Sequence, residues 1–108
     1  MKRGDLVTVA QKGDYEQKPR PAVVIQSDVF DAVDSVTVCP VTGEAADAAI
    51  LRPVLEPDAV NGLRERWWVQ IDKIATIRRA RVGRIFGRVS DTDMRRINAA
   101  LAVFLGLG

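Results

Sequence analysis

The alternation of apolar and polar positions changes period once along this chain, near residue 90, and that change separates a β-rich body from a terminal helix. Asp5 to Ala10 alternates as a half-buried strand does. Gln11 to Pro19 is polar, holds Gly13 and Pro19, and reads as a loop. Arg20 to Gln26 reads as a buried strand, and Asp28 to Val33 fits one helical turn capped by Ser27 or Asp28. Ser35 to Val41 is again β-rich, followed by a polar loop from Thr42 to Asp47. Ile50 to Glu56 is a strand in which Pro53 demands an edge or a bulge, because proline cannot donate to a ladder. Pro57 to Leu63, with Asn61-Gly62, is a turn region. Arg66 to Gln70 and Lys73 to Ile77 are short strand pieces. Val82 to Val89 closes the β part, with Gly83 and Gly87 marking bends or a close backbone approach.

Beyond residue 90 the period becomes helical. Ser90-Asp91-Thr92-Asp93 supplies a serine cap and acids in the first turn. Met94, Ile97, Leu101 and Phe104 follow at helical spacing, and Gly106 ends the segment. This stripe is read as core or dimer packing. Six or seven short strands and one helix make a mostly-β (α+β) domain: a small, strongly bent sheet or barrel with the helix packed on it. Residues 1–108 form one domain, long enough to bury a core without disulfides.

Composition narrows the chemistry. Hydrophobic residues make up 47% and charged residues 28%, as in an ordinary globular protein. There is no apolar run of the ~18 residues that would span a bilayer, and Met1 to Asp5 lacks the apolar region of a signal peptide. Cys39 is the only cysteine, so no internal disulfide forms, and a cytoplasmic location is expected. Cys39 lies in an apolar strand and reads as a small core residue. No histidine is present, which removes two-histidine ribonuclease chemistry, Ser-His-Asp triads and His-ligated zinc. Catalysis, if any, falls to Arg, Lys, Glu, Asp, Thr, Ser or Tyr.

Net charge is +2 but unevenly placed. Residues 1–60 carry six basic and ten acidic side chains, a net of −4; residues 61–108 carry ten and four, a net of +6. The second half holds Arg64, Arg66, Arg78, Arg79, Arg81, Arg84 and Arg88. Two readings stand: a solvated basic face, or a track for a phosphate backbone.

Three blocks in order carry a resemblance. The first is Met1-Lys2-Arg3-Gly4-Asp5-Leu6-Val7, then Glu16-Gln17, then Arg20-Pro21-Ala22-Val23-Val24-Ile25. The second is Val38-Cys39-Pro40-Val41-Thr42, a strand ending on threonine. The third is Asn61-Gly62-Leu63 with Val69 to Ile77, then Val82-Gly83-Arg84-Ile85 and the terminal helix. Together they resemble the MazF/PemK family of toxins over nearly the whole chain. The resemblance implies an SH3-like, CcdB/PemK-type β-barrel, a homodimer, and a cognate antitoxin with an acidic C-terminal tail. It also implies a sequence-specific endoribonuclease that cuts single-stranded RNA without metal or other cofactor and leaves a 2′,3′-cyclic phosphate and a 5′-hydroxyl. By motif, Arg20 and Thr42 match the family's catalytic arginine and threonine, and Glu16 a loop glutamate used in some members. Gly43 after Thr42 and the alanine-rich stretch beyond it depart from the family pattern.

The chemistry is consistent with those types. Attack by a 2′-hydroxyl needs a base, donors for growing phosphate charge, and a proton for the leaving oxygen. Glu16 is the candidate base, Arg20 the planar donor and Thr42 a neutral donor. Arg64, Arg66, Trp67 and Arg84 are the candidate RNA-binding residues. Structural roles compete with each: a strand-end ion pair for Arg20, a turn hydroxyl for Thr42, a solvated charge for Glu16. Trp67 and Trp68 are adjacent and face opposite sides of a strand, so one is expected in the core. The rival functions are a gyrase poison resembling CcdB, which the absence of a C-terminal tryptophan disfavours, and an inactive binding module.

Overall fold

Seven antiparallel strands precede one helix in the computed structural model, which describes residues 1–10, 18–45 and 49–108. The strands are β1 (Asp5–Val9), β2 (Arg20–Val24), β3 (Ser35–Thr42), β4 (Val54–Leu55), β5 (Trp67–Val69), β6 (Ala75–Arg78) and β7 (Val82–Arg88); α1 is Asp91–Leu105. They lie in the order β4-β5-β3-β2-β1-β7, with β6 also on β3. β3 sets the shape. Along one edge its Ser35–Val38 half pairs with β6 and its Val41–Thr42 end with β5, while its middle pairs with β2 on the other side. One long strand serving two short partners in succession curls the sheet into a half-barrel, as the expected bent sheet requires.

Register and the period of two place the core on both faces. Leu6 lies opposite Val23, and Val23 opposite Cys39. These three are fully buried beneath Ile97 and Leu101 of α1, in a cluster with Val41, Leu55, Val69 and Ile71. The residues between them, Val7, Ala22, Val24, Val36 and Val38, point the other way and form a second cluster inside the curl with Ile77 and Val82. A continuous apolar run such as Ala22-Val23-Val24 is what a strand covered on both faces needs. Each fully buried Leu or Ile contributes roughly 1.5–3 kcal/mol.

The helix forms as its caps dictate. The Ser90 hydroxyl accepts from the Asp93 N–H at 3.1 Å, satisfying one orphan donor of the first turn. Gly106 takes φ +71°, the left-handed geometry of a C-terminal cap, and the Leu107 N–H donates to the Ala102 carbonyl at 2.8 Å.

Two expectations change. The strand expected over 50–56 shrinks to Val54–Leu55, preceded by a 3-10 turn at Ala49–Leu51. It lies at the sheet edge, as Pro53 demands, and the Pro53 carbonyl accepts from the Val69 N–H at 2.9 Å. The helical turn after Ser27 is a 3-10 turn over Asp28–Phe30 with all three residues exposed. Phe104 continues the helical period and is 41% exposed on the single chain, at the end of a stripe read as core or dimer packing.

The turn at Asn61-Gly62 is built from the asparagine side chain. Asn61 is fully buried; its Oδ1 accepts from the Asp58 and Leu63 N–H groups, and its Nδ2 donates to the Glu56 carbonyl at 2.8 Å. The Asn61 carbonyl lies where a Cβ on Gly87 would stand, so β7 passes this turn only because residue 87 is glycine.

Candidate active groove

The face that holds the second core runs out of apolar residues at one end. Val24 lies opposite Val38, and Ala22 opposite Pro40. The β2–β3 ladder stops there. Pro21 and Pro40 both stand at this end, and neither has an N–H to donate. By the alternation of the strands Arg20 shares the face of Ala22, and Thr42 that of Pro40. A groove of about 630 Å³ opens at this end, and both residues line it.

Each is held from behind. Arg20 precedes a proline, which biases its backbone to the extended conformation, and it pairs with Val9 of β1. Its side chain is exposed. Thr42 is half-buried at the end of β3, opposite Trp68. Its Oγ1 accepts from the Glu44 N–H at 3.2 Å. That turn hydrogen bond occupies a lone pair and leaves the hydroxyl proton to be donated elsewhere. The turn role and the donor role therefore coexist in Thr42.

The groove also brings in Arg81 of the basic second half, and three residues that sequence reasoning did not single out: Glu65, Gln70 and Lys73. Glu65 comes from the β4–β5 connection, Gln70 and Lys73 from the β5–β6 connection and Arg81 from the turn before β7, and long-range pairing with β3 and β1 carries these segments to the groove. Spacing alone holds no signal for that; only the resemblance could have marked the Val69–Ile77 block. The Gln70 N–H donates to the Pro40 carbonyl at 2.8 Å, which sets the start of a 3-10 turn over Ile71–Lys73. Arg81 donates from both Nε and Nη2 to the Ala10 carbonyl, at 3.0 and 2.8 Å, and so clamps the end of β1 beside Arg20. Among the described lining residues the cations Arg20, Lys73 and Arg81 face one acid, Glu65, so the groove is net positive.

Of the four candidate RNA-binding residues, Trp67 lines this groove, packed edge-on against Phe86 with ring centroids 6.0 Å apart. Arg64, Arg66 and Arg84 lie elsewhere: all three are exposed, and Arg66 donates to Glu56 Oε1 at 2.6 Å. Glu16 lies outside the described residues. Much of the basic second half is tied to the fold. Arg79 donates to the Val33 and Phe30 carbonyls, and Arg96 to the Val54 carbonyl and to Asp93. Arg52 makes a two-point ion pair with Asp72 at 3.0 and 3.1 Å. That hydrogen bond raises the Arg52 pKa and holds the Asp72 carboxyl below the usual range. Cys39 is fully buried in the helix-side core, and burial pushes its thiol up to about 12, so it is no nucleophile at neutral pH. Among the described residues no group of three or more His, Cys, Asp or Glu gathers as a metal site.

A curled antiparallel half-barrel, capped by one helix and open at a cationic groove, is the class of protein these features define. Residues 2–105 match the family described as the PemK-like, MazF-like toxin of type II toxin–antitoxin systems, and the chain belongs to that family. It is 46% identical over 107 residues to a probable endoribonuclease MazF of Mycolicibacterium smegmatis, covering 99% of this chain and 98% of the relative. Among solved structures it is similar to the toxin MazF-mt6 of Mycobacterium tuberculosis, with TM-score 0.80, 23% identity and coverage of 96% and 98%. It is also similar to a mycobacterial endoribonuclease solved with its cognate antitoxin, with TM-score 0.79, 21% identity and coverage of 100% and 97%.

Proposed function

We propose that this protein is the toxin of a type II toxin–antitoxin pair and acts as an endoribonuclease on single-stranded RNA in the Arg20–Thr42 groove. The observation that carries the reading is that Arg20 and Thr42 line one net positive groove, in a chain 46% identical to a probable endoribonuclease. The RNA 2′-oxygen attacks the adjacent phosphorus as its proton passes to a base, for which Glu16 is the candidate. The bond from phosphorus to the 5′-oxygen breaks, the 5′-oxygen takes a proton, and a 2′,3′-cyclic phosphate remains. Arg20 offers two parallel N–H donors to the non-bridging oxygens as their charge grows, and Thr42 offers a third. An arginine stays protonated throughout, so its part is charge stabilisation.

Two partners belong to this reading. The protein is a homodimer, and its antitoxin presents an acidic tail that occupies the cationic groove and excludes RNA. The site of action is the cytoplasm; no helix among the described residues is long and apolar enough to cross a membrane. The test is incubation of the purified protein with single-stranded RNA in EDTA, with mapping of the cut ends. Cyclic-phosphate and 5′-hydroxyl termini are expected, and light scattering should give about twice the 11.9 kDa chain mass. Intact RNA would overturn the reading.

A further inference from the structure

The groove contains a group that a phosphate track has no use for. Glu65 lines it together with Arg20, Thr42 and Trp67, and is exposed. Among the described residues it makes no hydrogen bond and no ion pair. Its neighbour Arg66 is committed to Glu56. A carboxylate without a partner repels the phosphates that the surrounding cations attract, so in an RNA groove it weakens backbone binding unless it meets a donor. RNA carries paired donors only on its bases. Trp67, lining the same groove with its ring braced by Phe86, supplies an aromatic surface on which an unstacked base can lie. A stacking surface beside an acceptor pair is how proteins read the edge of a splayed base.

The four bases present different edges to a carboxylate. Guanine shows two adjacent donors, N1–H and the 2-amino group, spaced to meet both oxygens. Adenine and cytosine set a donor beside a ring acceptor, and uracil sets one donor between two acceptors. In those three a lone pair faces the negative charge. We infer that Glu65 is a specificity-determining residue that selects an unpaired guanine near the cut, with its Watson–Crick edge on the carboxylate and its face against Trp67. The inference rests on the groove being the site of RNA cleavage and adds which base it reads.

The test has two stages. Wild-type cuts in a randomised RNA pool are mapped first, and a guanine at one fixed offset from the cut is expected. A short oligonucleotide carrying that guanine is then compared with copies bearing inosine, which lacks the 2-amino group, or adenosine at the same place. For wild type, kcat/KM is expected to fall about tenfold with inosine and about a hundredfold with adenosine, the range of one and two good base contacts. Glu65→Gln retains shape but loses the second acceptor. It should bring the guanine-to-inosine ratio to within about threefold and cut the guanine-to-adenosine ratio at least tenfold. Glu65 is exposed and unpaired among the described residues, so the variant should melt as wild type does. Wild type that cuts without a fixed guanine, or a Glu65→Gln variant that keeps the wild-type ratios, overturns this inference alone. Wild type that cuts no RNA overturns the ribonuclease reading and this inference with it.

Discussion

The two faces of the central strands obey one alternation and end differently. On the helix side Leu6, Val23, Cys39 and Val41 are buried along the strands, and Ile97 and Leu101 close over them. On the other side Val24, Val38 and Ala22 are equally buried, but the row ends on Arg20 and Thr42. The helix-side face is sealed by an element with its own caps. The other is sealed only as far as the curl of β6 and β7 reaches. Polar residues placed where the cover stops inherit a rigid floor and an open front. The cost of ordering them is met by packing already in place further along the same strands, and such preorganisation suits a group that must wait for charge to develop.

The sealed face should answer to stability alone. Ile97 is fully buried at the centre of the helix-side core. Ile97→Ala is expected to cost about 2–5 kcal/mol in urea unfolding through lost transfer energy and the cavity left behind. Activity per folded molecule should stay near wild type under conditions where the variant is folded. A loss of activity in fully folded Ile97→Ala would mean that the two faces are coupled.

The open face should answer the other way. Arg20→Ala is expected to lower cleavage on the order of 10²–10³-fold, the effect of removing a preorganised donor to growing charge. Its melting temperature should stay within about a degree or two of wild type, since exposed sites change stability by about 0.5 kcal/mol or less. Arg20→Lys should recover little, because an ammonium cannot match the planar fork. If Arg20→Ala unfolds, its role is strand-end pairing. If it cuts at the wild-type rate, the groove's remaining cations, Lys73 and Arg81, become the next residues to test. Thr42→Val, which keeps the β-branched shape, should lose only about tenfold, since one hydrogen bond from a neutral donor to a charged oxygen is worth roughly 1.5 kcal/mol at the low end of its range. A hundredfold loss would put the hydroxyl on a par with the guanidinium.

How much of this was legible depends on the range of the interaction. Strands with an unbroken local pattern, such as Asp5–Val9 and Ser35–Thr42, and the helix with its Ser90 and Gly106 caps could be read directly, because the signal lies within a few residues. Arg20 and Thr42 were candidates through a family resemblance, whereas their place in one groove depends on strand pairing, which no local pattern prints. Glu65 and Lys73 escaped for the same reason. The arginine-rich second half was open to two readings, and its arginines divide among several roles. Arg79 and Arg96 are spent on backbone carbonyls, Arg64 and Arg84 lie exposed outside the groove, and Arg81 clamps a carbonyl while lining it.

The smallest effect concerns the bond that ties the sealed face to the open one. Arg52 stands before Pro53 at the sheet edge, and Asp72 sits between buried Ile71 and groove-lining Lys73. The hydrogen bond from Arg52, more than direct charge attraction, lowers the folded-state pKa of Asp72. A depressed carboxyl pKa means the unfolded chain binds the proton more tightly than the folded one. The stabilisation is therefore fully present above the unfolded value of about 3.9 and is lost as pH falls through the folded value. With the Asp72 side chain 31% exposed, solvent screens the pair, and its worth should not exceed about 1 kcal/mol. Urea unfolding at pH 7 and pH 3 checks this. Asp72→Asn should lower stability slightly at pH 7, converge on wild type near pH 3, and show a shallower acid limb. Added salt at pH 7 should shrink the wild-type advantage. A constant offset between the two proteins at both pH values would mean that the side chain acts through packing and not through its charge.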